Sequence, residues 1–499
     1  MRYALLFSAF AVASCGLAYE LISAALASYV LGDSVTQFST VIGTYLFAMG
    51  VGSWLSRYIE RALLVWFVQV ELLVGVIGGF SAALLFLAFA HVNDAFRLVL
   101  YGTVSVTGVL VGLEIPLIMR ILRSEIQFKE LVAQVLSFDY LGALAVSILF
   151  PLVLAPHLGL LRTAFLFGLL NVLVALWAIR LFRESHGGTR ALQAQGMVAF
   201  LVLLAGFAFS DRLTALAEES IYTDQIVFAE STPYQRIVIT RWRDDVRLFL
   251  NGNLQFSSRD EYRYHEALVH PAMATLPRAR RVLILGGGDG LAAREVLKYP
   301  QVESITLVDL DATMTSLFRD NRLLSELNRG ALSSPKLSVI NQDAFVWLDA
   351  NPVMFDLIMI DFPDPSNYSL GKLYSSAFYR LLEKRLSARG LAVIQATSPF
   401  YARKSFWCIV ATLEDAGLRT APYHAYVPSF GEWGYIVAGR GAFSLPKSFP
   451  VETRYLTPDT LNTMFDFPAD MARVPVEVNR LNNQILVRYF EEEWHRVMR

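Results

Sequence analysis

The chain has little charge and almost no cysteine. Charged residues make up 17% of its 499 residues, and the only two cysteines are Cys15 and Cys408. A soluble domain usually carries about 25% charge, so this composition excludes an ordinary soluble protein over the full length. Two cysteines so far apart give neither a disulfide framework nor a metal cluster, and we expect no metal site. The net charge of −1 gives no electrostatic reason to expect a nucleic-acid partner.

Long hydrophobic runs are present, but only in the first half of the chain. A membrane-spanning helix needs roughly 20 mostly apolar residues. Seven segments meet this requirement, at 4–30, 36–55, 63–90, 96–119, 138–156, 161–182 and 193–210. They predict a multi-pass α-helical domain over 1–210, with the lipid bilayer of the cell (inner) membrane as its partner. Glycines in the second and third segments predict close helix packing; they are Gly43, Gly50, Gly52, Gly75, Gly78 and Gly79.

Charges in the short loops predict how these segments are oriented. The loops after the second, fourth and sixth segments hold the basic residues Arg57, Arg61, Arg120, Arg123, Lys129, Arg180, Arg183 and Arg190. This bias predicts that the N-terminus and the basic loops lie in the cytoplasm. Seven full spans would then leave the rest of the chain outside. We expect instead that one segment is re-entrant or interfacial and that the second half is cytoplasmic; the alternative is that the second half is exported.

The second half begins with short stretches of alternating apolar and polar residues, after a polar connection at 211–222. They predict strands at 225–230, 235–241, 246–250 and 253–257. Asn251-Gly252, between the last two, is typical of a type I′ hairpin turn. We therefore expect a small β-domain over 222–260, followed by an α/β domain over 261–450 and a C-terminal extension over 451–499.

From residue 281 onward, strands alternate with helices. Predicted strands at 282–285, 304–308, 336–340, 355–360 and 391–396 favour a parallel, doubly wound sheet, which is a Rossmann-like fold of the class I methyltransferase type. Ligands bind at the carboxyl ends of such strands. Asp289, Asp309, Asp343 and Asp361 all fall just past strand ends. A single aspartate there is usually a cap or turn residue, but four in succession predict a site.

The glycine loop 286–290 lacks the usual signatures of phosphate binding. Leu291 stands where the dinucleotide fingerprint needs glycine, and no Gly-Lys-Ser/Thr follows,. Asp289 inside the loop would repel a pyrophosphate. Asp309, 19 residues beyond Gly290, is placed to accept hydrogen bonds from ribose hydroxyls,. Asp343 with Ala344 could bind adenine, so the loop predicts a pocket for an adenosyl sulfonium compound.

Five blocks carry a resemblance to a known family. They are 255–266, 281–290, 302–311, 361–365 and 373–379. In order and spacing they resemble the spermidine synthase (polyamine aminopropyltransferase) family over about 222–440. The hydrophobic first half resembles the bacterial subgroup in which the synthase is fused to membrane helices. The resemblance implies transfer of the aminopropyl group of decarboxylated S-adenosylmethionine to putrescine, giving spermidine and methylthioadenosine.

The resemblance also implies roles for individual residues. The donor, a co-substrate rather than a permanently bound cofactor, is implied to contact Gly286 and Gly288 of the glycine loop. Gln255 is implied beside its methionine-derived part, Asp309 at the ribose in place of the usual glutamate, and Asp343 with Ala344 at the adenine. The polyamine is implied to contact Tyr264, His265, Asp289, Asp361 and Asp364. The resemblance implies that Asp289 and Asp361 hold the donor's ammonium, that Asp361 is the catalytic proton acceptor and that Asp364 binds the acceptor's ammonium.

Two departures from the family pattern leave the acceptor amine open. Ser366-Asn367-Tyr368 follows the second Asp-Pro where the family has Gly-Pro. A late tyrosine of the polyamine site is replaced by Phe430 or Gly431.

Two other functions remain open from the sequence. One is an S-adenosylmethionine-dependent methyltransferase on the same fold. The paired carboxylates of Asp289 and Asp361 oppose it, because they would repel the methionine carboxylate. The other is a membrane transporter or sensor of polyamines. Acidic residues within or beside the spans motivate it, namely Glu20, Glu71, Glu114 and Asp139, and packing is their alternative role. The family tendency is a homodimer or homotetramer.

Overall fold

The computed structural model describes residues 2–31, 34–91, 95–123, 127–181, 189–214 and 222–497. Arg183 and most of the polar connection at 211–222 therefore lie outside the described residues. The chain divides into two compact units, Met1–Gln225 and Ile226–Arg499.

The N-terminal unit is mostly helical in its described ranges, with a non-helical stretch at 59–62 between the second and third helices. The helices are α1 (Arg2–Leu31), α2 (Ser34–Leu55), α3 (Leu63–His91), α4 (Phe96–Leu122), α5 (Phe128–Leu149), α6 (Ala155–Leu181) and α7 (Thr189–Ala208). A π-helical turn, Phe150–Leu154, joins α5 to α6. Apolar residues cover these helices on most sides, which is typical of segments that face either a core or lipid.

Among the described residues of this unit, six segments are long and apolar enough to cross a membrane. One of them, Phe128–Leu181, is 54 residues long; it contains the fifth segment predicted from the sequence and the sixth as far as residue 181. A straight helix of that length would measure about 80 Å, more than twice the roughly 30 Å core of a bilayer. It is not straight, because Gly159 has φ 74° and ψ 169° and interrupts the helix.

Glycines allow several of these helices to pack backbone to backbone. A side chain on Gly52 would collide with the Val109 carbonyl of α4, and one on Gly75 would press against Gly168 of α6. Gly78 and Gly79 are similarly enclosed, so the packing prediction is confirmed for these four positions. The packing prediction is wrong for Gly43 and Gly50, because a Cβ atom added at either position would have no neighbouring atom within 4 Å.

The basic residues and the exit of the chain lie at opposite ends of this unit. Gln69 donates to Gln195 at 2.8 Å, so α3 and α7 begin at the same end. Arg162 pairs with Asp211 at 2.5 Å, so α6 begins where α7 finishes. The basic loops follow α2, α4 and α6, at the end where α3 and α7 begin. The described part of the unit stops at residue 214, near Asp211 and at the other end.

The C-terminal unit opens with a four-stranded sheet. Its strands are β1 (Gln225–Ser231), β2 (Arg236–Trp242), β3 (Asp245–Leu250) and β4 (Asn253–Ser257), in the order β1-β2-β3-β4. The pairs β2–β3 and β3–β4 are antiparallel. Asn251 and Gly252 have φ of 50° and 79°. Because a type I′ turn needs positive φ at both central residues, the predicted hairpin is confirmed.

A seven-stranded sheet follows, with the order β10-β11-β9-β8-β5-β6-β7. Its strands are β5 (Arg281–Gly286), β6 (Ser304–Asp309), β7 (Leu337–Asn341), β8 (Phe355–Asp361), β9 (Leu386–Gln395), β10 (Arg419–Val427) and β11 (Gly431–Gly439). The first five run parallel, which confirms the Rossmann-like prediction. The sheet as a whole is mixed, because β10 and β11 form an antiparallel hairpin against β9 that the sequence analysis missed.

Helices cover both faces of this sheet or extend the unit. They are α8 (Glu261–Met273), α9 (Leu291–Val296), α10 (Ala312–Asp320), α11 (Arg322–Leu327), α12 (Ala344–Ala350), α13 (Tyr368–Gly371), α14 (Ser376–Arg385), α15 (Arg403–Asp415), α16 (Pro458–Thr463) and α17 (Ile485–Val497). The chain builds β5, β6 and β7 in one direction and then returns to place β8 on the other side of β5. The topological switch point, where open α/β sheets bind ligands, therefore lies between β5 and β8.

Candidate active site

The glycine loop and Asp361 meet at this switch point. Gly286 ends β5 directly opposite Asp361, the last residue of β8. Gly286, Gly287 and Gly290 all have positive φ, which residues with a side chain rarely adopt. A side chain on Gly287 would come within 3.2 Å of the Asp361 Oδ2 atom. The glycines therefore turn the chain sharply and keep the space around this carboxylate open.

Tyr264 holds the other oxygen of Asp361. Its hydroxyl donates to Asp361 Oδ1 at 2.6 Å, from a position one turn into α8. Burial raises the pKa of Asp361 above its usual value. A carboxylate with a raised pKa is a stronger base, and its remaining oxygen is directed at the glycine loop.

His265, next to Tyr264, is held as an imidazolium. Its Nδ1 lies 2.8 Å from Glu261 Oε2, and Glu261 in turn receives two hydrogen bonds of 2.9 Å from Arg294. Burial alone would lower the pKa of His265, but the bond and charge of Glu261, with Asp289 and Asp361 behind it, raise the pKa to about 9. The protonated His265 thus places one positive charge near the carboxylates of Glu261, Asp289 and Asp361.

Asp289 and Asp309 lie on the loop side of the same cluster. Asp289 Oδ1 accepts from the Leu291 N–H at 2.8 Å, and Asp309 Oδ2 accepts from the Gly288 N–H at 3.0 Å. Burial raises the pKa of each carboxyl to about 6. Each oxygen has a second lone pair free for a ligand. Such a group of desolvated carboxylates favours a cationic ligand.

Asp364 stands slightly apart, beyond Phe362 and Pro363. Thr397 Oγ1 donates to Asp364 Oδ2 at 3.3 Å, while Oδ1 is buried and has no hydrogen-bond partner among the described residues. Burial raises the pKa of Asp364 to about 7. Thr397 itself has φ 54°, a strained conformation for a β-branched residue that is typical of functional sites.

In the predicted adenine-binding pair, Asp343 and Ala344, both carboxylate oxygens of Asp343 already have hydrogen-bond partners. Asp343 Oδ1 caps α12 by accepting from the Phe345 and Val346 N–H groups, at 2.8 and 3.3 Å. Asp343 Oδ2 receives a 2.6 Å hydrogen bond from Lys372. Burial would raise the pKa of Asp343, but Lys372 and the capping N–H groups hold it below the usual value. Asp343 therefore caps α12 with one oxygen and binds Lys372 with the other. Ala344, the next residue, is buried.

Gln255 is not joined to the aspartates by any described contact. Its side-chain amide donates instead to the Asn253 carbonyl at 3.1 Å, within β4. The structure thus brings Tyr264, His265, Asp289, Asp309 and Asp361 together, with Asp364 near them. It leaves Gln255 apart, and Asp343 with Ala344 at the start of α12.

Glu266, His270 and Glu295 bring three potential metal-ligand atoms within 4.8 Å of one another. Glu266 accepts from three successive N–H groups at 454–456. His270 Nε2 lies 2.9 Å from Glu295 Oε2, and Lys298 also pairs with Glu295. Since these side chains already have partners, including a cation, we assign the group to anchoring the C-terminal segment on α8.

Comparison with known proteins places this site in a family. A spermine/spermidine synthase domain matches residues 261–442. "Polyamine aminopropyltransferase 2" of Ralstonia nicotianae is 61% identical over 505 residues, covering 99% of both chains. "Polyamine aminopropyltransferase" of Leptospira interrogans is 53% identical over 498 residues, covering 100% of both. The chain belongs to the polyamine aminopropyltransferase family. A solved spermidine synthase in complex with the transition-state analogue AdoDATO is 26% identical, with TM-score 0.46, over 49% of this chain and 86% of its own.

One departure from the aminopropyltransferase pattern now has a position. Phe430 packs against Tyr264, with ring centroids 6.3 Å apart, and against Trp433 at 5.0 Å. Tyr435 completes this aromatic wall at 5.5 Å from Tyr264. Phe430, rather than Gly431, therefore supplies a ring beside the site, but a ring without a hydroxyl.

Sequence reasoning missed the residues that hold the aminopropyltransferase site in place. Glu261 is four residues before His265, a spacing that puts both on one helix face and was a usable signal. Arg294, Lys372 and Thr397 reach the site only through the fold. So does Asn479, whose buried amide donates to the Gly371 and Tyr374 carbonyls at 2.9 and 3.1 Å and fastens the segment after Asp364.

Proposed function

We propose that this protein transfers the aminopropyl group of decarboxylated S-adenosylmethionine to putrescine, releasing spermidine and methylthioadenosine. The observation that carries the proposal is the cluster of Asp289, Asp309 and Asp361 at the switch point, with His265 as its cation. A donor with a sulfonium, an ammonium and no carboxylate suits these charges. The whole-length identity to enzymes named polyamine aminopropyltransferase supports the same reaction.

In this proposal the donor lies along the carboxyl ends of β5, β6 and β7. Gly286 and Gly288 let it approach the backbone, and Asp309 accepts from the ribose hydroxyls. Asp343 and Ala344 bind the adenine, which requires Asp343 to exchange its bond with Lys372 for one with the adenine amino group. Gln255 contacts the methionine-derived part, after its side chain turns from Asn253.

The amine lies between Tyr264, His265 and Asp364. Asp289 and Asp361 hold the donor's ammonium, and Asp364 binds the far ammonium of the acceptor through its unpartnered oxygen. A carboxyl with pKa near 7 becomes fully ionised when an ammonium binds beside it, because the two charges stabilise each other.

The reaction is an in-line displacement at the methylene carbon next to sulfur. An alkyl ammonium has a pKa of about 10 and is not a nucleophile until it loses a proton, which Asp361 accepts. The amine nitrogen then forms the new C–N bond, while the C–S bond breaks and its electron pair stays on sulfur in methylthioadenosine. A carboxylate is a weak base for an amine, so positioning and electrostatic stabilisation supply much of the rate.

We further propose that the N-terminal unit, 1–210, is embedded in the cell membrane. The soluble part comprises a β-domain at 222–260, the transferase domain at 261–450 and the extension at 451–499. We place it in the cytoplasm, where its donor is formed. Because α7 finishes at the end opposite the basic loops, a cytoplasmic position for the second half runs against the usual charge bias. A reporter fused after Arg499 tests the side, and light scattering of the purified protein tests a homodimer or homotetramer.

A panel of substrates tests the reaction itself. Purified full-length protein is given decarboxylated S-adenosylmethionine labelled in its aminopropyl group, with putrescine, cadaverine and spermidine in separate reactions. We expect labelled spermidine and an equal amount of methylthioadenosine with putrescine. Methyl transfer from intact S-adenosylmethionine, with no aminopropyl product, would instead establish the methyltransferase alternative. Amine binding without methylthioadenosine release from any of them would favour a sensor.

A further inference from the structure

Two carboxylates lie buried in the middle of the helical unit without partners. Glu71 on α3 and Glu114 on α4 are both 0% exposed. None of their four carboxylate oxygens has a hydrogen-bond partner among the described residues. Burying an ionised carboxylate is costly unless it is paired and hydrogen-bonded, and in membrane segments such residues mark ligand or ion sites by default.

Two neutral polar side chains on other helices are also buried without hydrogen-bond partners among the described residues. The Tyr19 hydroxyl on α1 and both amide atoms of Asn171 on α6 are buried and have no partner among the described residues. Tyr19 is within electrostatic reach of both Glu71 and Glu114. Asn171 packs against Gly75, one turn beyond Glu71. Native proteins satisfy nearly all buried polar groups, so a convergent set of orphans indicates a ligand.

The described groups that reach these carboxylates include no basic side chain, so a ligand that pairs with them would be a cation. The described groups in electrostatic reach of Glu71 and Glu114 are acidic or neutral, namely Cys15, Tyr19, Tyr45 and Asp139. Arg120, the basic residue nearest in sequence to Glu114, donates to the Ser56 carbonyl. Arg162 pairs with Asp211 at the end of the unit.

We propose that Glu71 and Glu114 bind an aliphatic diamine or polyamine inside the helical unit, with Tyr19 and Asn171 completing the site. The ammonium groups supply charge and hydrogen-bond donors to the carboxylates, and the methylene chain suits the surrounding apolar side chains. That the amine is the substrate or product of the same chain rests on the proposed function.

The arrangement suits an ammonium better than a metal ion. In the described part of the chain, three carboxylate, histidine or cysteine ligand atoms converge within 4.8 Å only at Glu266, His270 and Glu295. Glu71 and Glu114 lack such a third ligand. Divalent cations prefer several converging oxygens, whereas a diamine can place its two charges some distance apart.

Equilibrium dialysis of full-length protein in lipid nanodiscs with labelled spermidine tests the site. We expect two equivalents bound per chain, one at the transferase site and one in the helical unit. The double variant Glu71→Gln/Glu114→Gln should lose one equivalent, or weaken it at least about 10-fold, while methylthioadenosine release continues. The matched control Glu130→Gln/Asp211→Asn removes two exposed carboxylates of the same unit and should retain both equivalents.

Three results would overturn the inference. They are one equivalent in every preparation, two equivalents retained by the Glu71→Gln/Glu114→Gln variant, and displacement of the second equivalent by stoichiometric Mg²⁺ or Na⁺. Methylthioadenosine release reports that each variant is folded, and the charge-preserving Glu71→Asp variant should keep the second equivalent. If release never occurs but the second equivalent persists and requires Glu71 and Glu114, the proposed function fails and the amine site stands.

Discussion

The Tyr264 hydroxyl donates to Asp361 Oδ1 at 2.6 Å, from a ring that is 9% exposed. This bond fixes the carboxylate that we propose accepts the amine proton. A hydrogen bond to a charged group contributes about 1.5–3 kcal/mol. Tyr264→Phe should therefore lower kcat by about 10- to 100-fold, with a smaller effect on the KM for donor, measured as methylthioadenosine release.

Removing the hydroxyl of a different buried tyrosine is the control that separates loss of the hydrogen bond to Asp361 from a change in packing. Tyr379 is also buried, and its hydroxyl has no partner among the described residues. Tyr379→Phe should leave kcat within about twofold. If Tyr264→Phe is as active as Tyr379→Phe, then the bond to Asp361 has no role in the reaction.

Asp364 should set the acid side of the pH profile. Burial raises the pKa of its carboxyl to about 7, and only the ionised form attracts the acceptor's ammonium. As pH falls through 7 the carboxylate is protonated, so kcat/KM for putrescine should fall while donor binding changes less. Asp364→Asn should raise the KM for putrescine and flatten the profile near pH 7. An unchanged profile in this variant would assign the acid limb to another group.

Because His265 titrates at alkaline pH, the stability of the folded protein should fall as the pH rises through that range. Its pKa in the folded protein is about 9, above the roughly 6.5 of an unfolded histidine. The stabilisation is therefore complete below pH 6.5 and is lost as pH rises through 9. Glu261→Gln removes the main partner that raises the pKa. Its melting temperature should drop more at pH 6.5 than above pH 9, where only the loss of the Arg294–Glu261 ion pair remains; an equal drop at both would contradict the assignment.

Lys372 should compete with the donor for Asp343. The two side chains form a 2.6 Å ion pair and are 36% and 30% exposed, and such pairs contribute at most about 1 kcal/mol. Lys372→Met frees Asp343 Oδ2 for adenine, so the KM for donor should fall about two- to fivefold with kcat unchanged. Lys372→Arg keeps the pair and serves as the control. A raised KM in the methionine variant would mean that Lys372 positions Asp343 for the donor.

Phe430 should influence which amine is accepted. Its ring lies beside Tyr264, and Phe430 or Gly431 is expected to replace a tyrosine of the family's polyamine site. Phe430→Tyr adds a hydroxyl that can bond an amine, so the ratio of kcat/KM between putrescine and cadaverine should change several-fold, while the KM for donor stays constant. An unchanged ratio would place acceptor selection elsewhere.

The sequence predicts the parts of this fold that depend on local patterns. Apolar runs and following aspartates located the five parallel strands, and Asn251-Gly252 located a turn that needs positive φ at two residues. The hairpin of β10 and β11 was missed because Pro422 and His424 interrupt the apolar pattern of its first strand in the sequence, and because its pairing with β9 is a tertiary interaction. Asp309 and Asp361 were predicted as site residues because each ends a strand.

The supporting contacts of the site could not be predicted in the same way. Arg294 reaches Glu261 across 33 residues, and Lys372 reaches Asp343 across 29. Such pairs depend on how helices pack on the sheet, which no local pattern records. The unpartnered state of Glu71 and Glu114 is likewise a property of the packed helical unit, although their place in apolar segments already marked them.

The most direct measurement is a single turnover with wild-type protein and Asp361→Asn, each loaded with labelled decarboxylated S-adenosylmethionine and mixed with putrescine. The wild type should release one methylthioadenosine for each labelled spermidine formed. Asp361→Asn should bind the donor but form product at least about 1000-fold more slowly, because it lacks the base. Product formation by Asp361→Asn at a near wild-type rate, or no methylthioadenosine from the wild type, would contradict the account.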